Sequence, residues 1–107
     1  MKLRFLVDAL VEYEDAIAYY ERAQSGLGEA FLHNVEETLA LTLEFPEIGV
    51  LVANTPPDLG VRRRIIQRFE VEVNYLVVGD ELTVLAIFHG KRRPGYWHDR
   101  LVDSASG

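Results

Sequence analysis

The chain has 107 residues, too few to cover two cores, so it reads as a single domain over residues 1–101 with a disordered tail at 102–107. It has no cysteine, which excludes a disulfide framework and cysteine zinc sites and fits a reducing, cytoplasmic setting. The net charge of −6 is uneven: residues 1–60 carry three Lys/Arg against eleven Asp/Glu, and residues 61–107 carry eight against six. A basic region on an acidic body suits a localised anionic partner, although arginines that only solubilise exposed strands would give the same balance.

Residues 2–7 (KLRFLV) are short and β-prone and read as a first strand. Asp8 interrupts the apolar run, so the N-terminus does not read as a secretory signal, and no apolar run approaches the ~20 residues of a membrane span. Asp8 is instead expected to cap a helix over residues 9–23, with Leu10, Tyr13, Ile17 and Tyr20 as its apolar stripe. Its Glu-rich remainder, Glu12 included, reads as a solvated face. Ser25-Gly26 stops this helix. A second follows over residues 28–44, its stripe made by Phe31, Leu32, Val35, Leu39 and Leu43, and Pro46 ends it. So short a connection makes the two an antiparallel hairpin. His33 stands alone on the second helix's polar flank and carries no role. Residues 47–60 read as a loop, punctuated by Gly49, Pro56-Pro57 and Gly60.

Three strands are expected next. Residues 61–68 hold Arg62, Arg63, Arg64 and Arg68 around Ile65-Ile66. Val71, Val73, Tyr75 and Val77 alternate along a second strand, and Gly79-Asp80 is a hairpin turn signal leading to Leu82, Val84, Ala86 and Phe88. Pivoting on that turn places Tyr75 opposite Val84, Val73 opposite Ala86, Val71 opposite Phe88 and His89 across from Glu70. The apolar alternations then share one face, which should meet the helical hairpin. The other face is mixed, carrying Leu76, Val78, Leu85 and Ile87 with Glu70, Glu72, Asn74, Thr83 and His89. It is expected either to be covered by the chain's own tail or to dock a partner.

The spacing across this half is specific. Arg62-Arg63 lie seven and six residues before Phe69, Phe69 lies six before Tyr75, and a strand ending at His89 leads to Arg92, Pro94, Trp97 and Arg100. An arginine strand, Phe–x5–Tyr and His–x2–Arg–x–Pro–x2–Trp–x2–Arg resemble the RelE/ParE superfamily of bacterial toxins, closer to the ParE branch, and FPEIG at the end of the second helix fits as well. One departure is Arg93, where the family often has an acidic residue before the proline. The resemblance implies an α+β fold: an N-terminal strand, an antiparallel helical hairpin, then a three-stranded antiparallel sheet with a short C-terminal tail or helix. It also implies the toxin of a type II toxin-antitoxin module, which arrests growth and is neutralised by a cognate antitoxin that wraps it, as a hetero-oligomer or with a homodimer. ParE-like members act on DNA gyrase, and RelE-like members cut mRNA on the ribosome.

Cleaving RNA at its 2′-hydroxyl needs a group to activate that hydroxyl, donors for the phosphorane and an acid for the leaving oxygen. Arg63, His89, Arg92 and Tyr96 are the candidates if the protein is a nuclease. As a partner-binding surface, Arg62, Arg63, Arg64, Arg92 and Trp97 are the candidates. Neighbouring strand arginines must point to opposite faces, and Tyr96 with Trp97 could simply pin the tail to the body. There is no Gly-rich phosphate loop, G-x-S-x-G or H-E-x-x-H, and the histidines do not stand at zinc-ligand spacing, so neither cofactor nor metal is expected. A gyrase-directed toxin is the first reading; a ribosome-dependent endoribonuclease and a non-toxic binding module remain open beside it.

Overall fold

The computed structural model describes residues 1–93 and 95–101; Pro94 and the expected disordered tail, 102–107, lie outside the described residues. In chain order the elements are β1 (Lys2–Phe5), α1 (Val7–Ala23), α2 (Leu27–Glu44), β2 (Val50–Leu51), a 3₁₀ turn (Pro57–Leu59), β3 (Arg62–Ile66), β4 (Val71–Val78) and β5 (Glu81–His89). They form one five-stranded sheet in the order β1-β5-β4-β3-β2, with β1 parallel to β5 and the other pairs antiparallel. The expected three strands and N-terminal strand are all present. The fifth, β2, is a two-residue edge strand formed inside the region expected to be loop, held by pairing to Arg62 and Arg63. No helix among the described residues is long and apolar enough to cross a membrane.

Helix α1 starts earlier than its composition suggests. Leu6, not Asp8, is the N-cap, and it makes no side-chain cap bond; Asp8 sits in the first turn, where its charge suits the helix dipole. Starting at Val7 sets the buried face at Ala9, Tyr13, Ala16, Ile17 and Tyr20, and leaves Leu10 43% exposed rather than in the stripe. Ala9 is fully buried, and its small side chain lets α1 lie close to β5. The N-terminus of α2 has no cap of its own. Glu21 supplies it from α1, accepting hydrogen bonds from the N–H groups of Gly26 and Gly28 at 3.0–3.1 Å and so tying the two helices together. Phe31, Val35 and Leu39 of α2 are buried as expected.

The Gly79-Asp80 turn is present, with φ +61° at Gly79, and Tyr75 pairs with Val84. Beyond that pair the register slips by one, because Leu85 is an extra residue in β5: Asn74 pairs with Ala86, Val73 with Ile87, Glu72 with Phe88 and Val71 with His89. Paired residues share a face, so the bulge exchanges the expected occupants. Ile87 and His89 join Val73 and Val71 on the helix face, while Ala86 and Phe88 move to the opposite face with Asn74 and Glu72. That the Val73 face meets the helices is fixed by its neighbour Arg64, whose Nη1 donates to Thr42 of α2 at 3.0 Å.

Tyr75 anchors the segment after α2. Its buried hydroxyl donates to the Pro46 carbonyl at 2.7 Å and accepts the Gly49 N–H at 3.0 Å, so FPEIG curls around one phenol. A Cβ at Gly49 would lie 2.6 Å from that oxygen and 2.8 Å from the Arg63 carbonyl, which leaves no room for a side chain. Replacing Tyr75 by phenylalanine strands both backbone partners and should cost about 1–3 kcal/mol in urea unfolding. A change within the error of the measurement would show that water replaces the phenol at no cost.

Candidate functional site

The arginines of β3 separate by face. Arg62 and Arg64 pair with Tyr75 and Val73, and both are taken up by structure on the helix side. Arg62 donates to the carbonyls of Gly49 at 2.7 Å and Glu47 at 3.2 Å, and Arg64 donates to Thr42. Arg63, paired with Asn74, is on the opposite face, 44% exposed, with Nη1 3.4 Å from Glu72. The other Glu72 oxygen accepts from Asn74 Nδ2 at 2.8 Å. Arg63, Glu72 and Asn74 thus form a polar row on a face that Thr83, Glu81 and Arg4 also share.

The tail covers the far end of that face. Residues 95–101 form a run of turns in which the N–H groups of His98, Arg100 and Leu101 bond back three residues. Trp97 is 1% exposed, so this ring holds the tail to the sheet and leaves no surface for a partner; a buried ring of this size is worth ~3 kcal/mol or more. Tyr96 packs edge-on against Phe88 with ring centroids 5.2 Å apart, and the Arg92 guanidinium lies over the Tyr96 ring at 4.0 Å. A cavity of about 150 Å³ remains between Trp97, His98, Arg92, Glu72 and Asn74.

Around the edge of β5 lies a group that sequence patterning placed in solvent. Pairing of β1 to β5 ends at Val84, which leaves the next backbone groups of β5 without a strand. Glu12 and Arg100 take its place: the Ile87 N–H donates to Glu12 Oε1 at 3.1 Å, and Arg100 Nη1 donates to the Leu85 carbonyl at 3.0 Å. The two side chains pair with each other at 2.8 Å and 3.1 Å, Asp8 stands 3.7 Å from the guanidinium, and the Tyr96 hydroxyl donates to Glu12 Oε2. The Glu12 and Arg100 side chains are only 14% and 15% exposed. Burial lowers the affinity of Arg100 for its proton, but the hydrogen bond and charge of Glu12 reverse this and raise its pKa overall. Burial first, and the Glu12 bond and charge second, push the Tyr96 phenol well above its ordinary range. A signal existed in the sequence: Glu12 lies at helical spacing with Ala9, Ala16 and Tyr20, on the buried face.

The four nuclease candidates do not all converge: His89 and Arg92 line one cavity and Arg92 lies over Tyr96, but Arg63 is apart from them. His89 faces the helices beside Tyr19 and Tyr20, with Nε2 3.8 Å from Glu70 and Nδ1 accepting the Lys91 N–H at 3.2 Å. It keeps its expected Glu70 neighbour despite the register slip. Arg63 is on the other side of the sheet. Arg92, an exposed residue, stacks over the Tyr96 ring, and the Tyr96 hydroxyl is bound to Glu12. Among the described residues no cluster of three or more His, Asp or Glu is arranged to hold a metal ion.

The sequence model for the ParE toxin of type II toxin-antitoxin systems (parDE) matches residues 3–94. The chain belongs to the ParE toxin family. No curated protein matches this family member in sequence. Among solved structures it is similar to a chain of the chromosomal ParDE toxin-antitoxin system from P. aeruginosa, with a TM-score of 0.69 at 18% identity, over 83% of this chain and 95% of that one. It is also similar to the isolated E. coli RelE toxin, with a TM-score of 0.62 at 19% identity, over 97% of each chain. At such identities these likenesses establish the fold, and ParE family membership implies a cognate antitoxin as partner.

The raised tyrosines give a pH dependence. Tyr96 and Tyr13 both lie above the ordinary value of 10.0, Tyr13 pushed up to about 12 by burial and then by Glu36. An unfolded phenol ionises first, so the stability these groups lend is complete below pH ~10 and is lost as pH climbs through the folded values. The urea midpoint should fall between pH 10 and 12, less steeply for Tyr96→Phe than for the parent. Identical slopes would remove Tyr96 from the linkage.

Proposed function

We propose that this ParE-family chain is a cytoplasmic toxin that inhibits DNA gyrase by binding, and that its cognate antitoxin silences it by covering the Arg63 face. The observation that carries the reading is the Leu85 bulge, which puts His89 and Arg63 on opposite sides of the sheet. Proton transfer and phosphorane stabilisation must act on one phosphate from within hydrogen-bond reach, and a sheet lies between these groups. Tyr96 offers no substitute acid, since its proton is already committed to Glu12. Electrostatics favour the same choice. A body of net −6 entering a ribosomal site walled by phosphates meets repulsion within the ~8 Å over which salt does not screen it, and forfeits counterion release. Arg63, exposed and on the less acidic half, is the residue placed to meet an anionic surface of the target or of the antitoxin.

Two assays on antitoxin-free protein test this: gyrase supercoiling with detection of cleaved DNA, and primer extension on mRNA from translating ribosomes. Inhibition in the first is expected, and Arg63→Gln should weaken it about tenfold, roughly one lost charge-assisted contact, while Lys2→Gln leaves it unchanged. Codon-phased cuts in the second assay, with no effect in the first, would overturn the proposal in favour of mRNA cleavage.

A further inference from the structure

The helical hairpin ends at Glu44, before the helix face of the sheet does. Past that point lies an open groove of about 730 Å³, in which Met1, Phe45, Ile48, Leu59 and Val77 are 51%, 53%, 43%, 42% and 36% exposed. Single exposed apolar residues are ordinary, but five lining one groove form a contiguous patch of the kind that marks an interaction surface. Its floor is rigid, because Tyr75 pins residues 46 and 49 beneath it. Its openness argues against a small molecule, which needs most of its surface enclosed, and for a length of chain laid along it.

The rim states what kind of chain. Glu44 and Glu47 line the groove, and among the described residues neither carboxylate has a hydrogen-bond or ion-pair partner. The last turn of α2 holds no basic residue, so its exposed carbonyl end adds negative potential at the same place. Of the two cations in the lining, Arg62 is consumed by the Glu47 and Gly49 carbonyls, and the Met1 ammonium lies 3.7 Å from the Asp80 carboxylate. A second copy of this chain is a poor occupant, since a two-fold contact of groove on groove would set these acidic rims against each other.

We propose that this groove docks a partner segment that is apolar along one side and carries lysine or arginine at its edge. This interaction lies on the face opposite Arg63 and does not depend on which target the toxin inhibits. The test uses the whole chain and two synthetic amphipathic helices of about 16 residues, one built from leucine and lysine and the other from leucine and glutamate. Amide shifts on adding the leucine–lysine peptide should centre on Phe45, Ile48, Leu59, Gly60 and Val77, and Ile48→Asp should weaken its binding about tenfold or more. Glu44→Lys with Glu47→Lys, both exposed and tolerant of exchange, should transfer the preference to the leucine–glutamate peptide. Glu14→Lys with Glu29→Lys makes the same charge change elsewhere and should leave the preference as it was. Equal losses for the two charge pairs, shifts centred on Arg63 and Glu72, or indifference to Ile48→Asp would each overturn the proposal. The gyrase and primer-extension results stand apart from all of these outcomes.

Discussion

One extra residue in β5 decides which side chains meet. A strand alternates its faces, so the Leu85 bulge reverses the parity of everything after it relative to β4. Phe88 is thereby sent to the face where Tyr96 can pack, and His89 to the helix side among Tyr19, Tyr20 and Glu70. Without the bulge, His89 would share a face with Arg63, and the ingredients of an acid–base site would lie together. With it, Arg63, Glu72 and Asn74 share a face without His89, beside the tail residues Trp97 and His98.

The same irregularity lies where β5 loses its neighbour. Once β1 has ended, the Leu85 carbonyl and the Ile87 N–H would face the cost of unpaired backbone in a packed region. Glu12 from α1 and Arg100 from the tail answer both groups and each other. The pair thus performs the work of a short strand, and it joins the two ends of the chain. Removing either partner would leave a mostly buried charge and an open strand edge together, a heavier loss than a surface ion pair implies. The tail's position on the Arg63 face rests on this junction, on Trp97 beneath it and on Tyr96 against Phe88.

Much of this was legible in the sequence. Helix lengths, the Gly79-Asp80 turn, the Tyr75–Val84 pair and the opposition of Arg63 to its neighbours all follow from local periodicity and turn chemistry. What escaped was non-local. Nothing in the spacing of β5 marks Leu85 as an added residue, because every residue around it is apolar and satisfies either face. Glu12 looked like one more solvated carboxylate, since its partners lie at the far end of the chain. Strand β2 is too short to show an alternation, and it exists because β3 offers it an edge. FPEIG was visible as a motif, while the reason for its glycine, the Tyr75 hydroxyl, was not.

Phe88 and His89 occupy opposite faces of the sheet, and nuclear Overhauser contacts in the isolated chain report which face each takes. The bulged register predicts cross-strand backbone contacts between Val71 and His89 and between Val73 and Ile87, and ring contacts from Phe88 to Tyr96. Contacts from Phe88 to the Tyr20 and Phe31 rings, with His89 beside Arg63 and Asn74, would restore the unbulged register and contradict the separation of these groups.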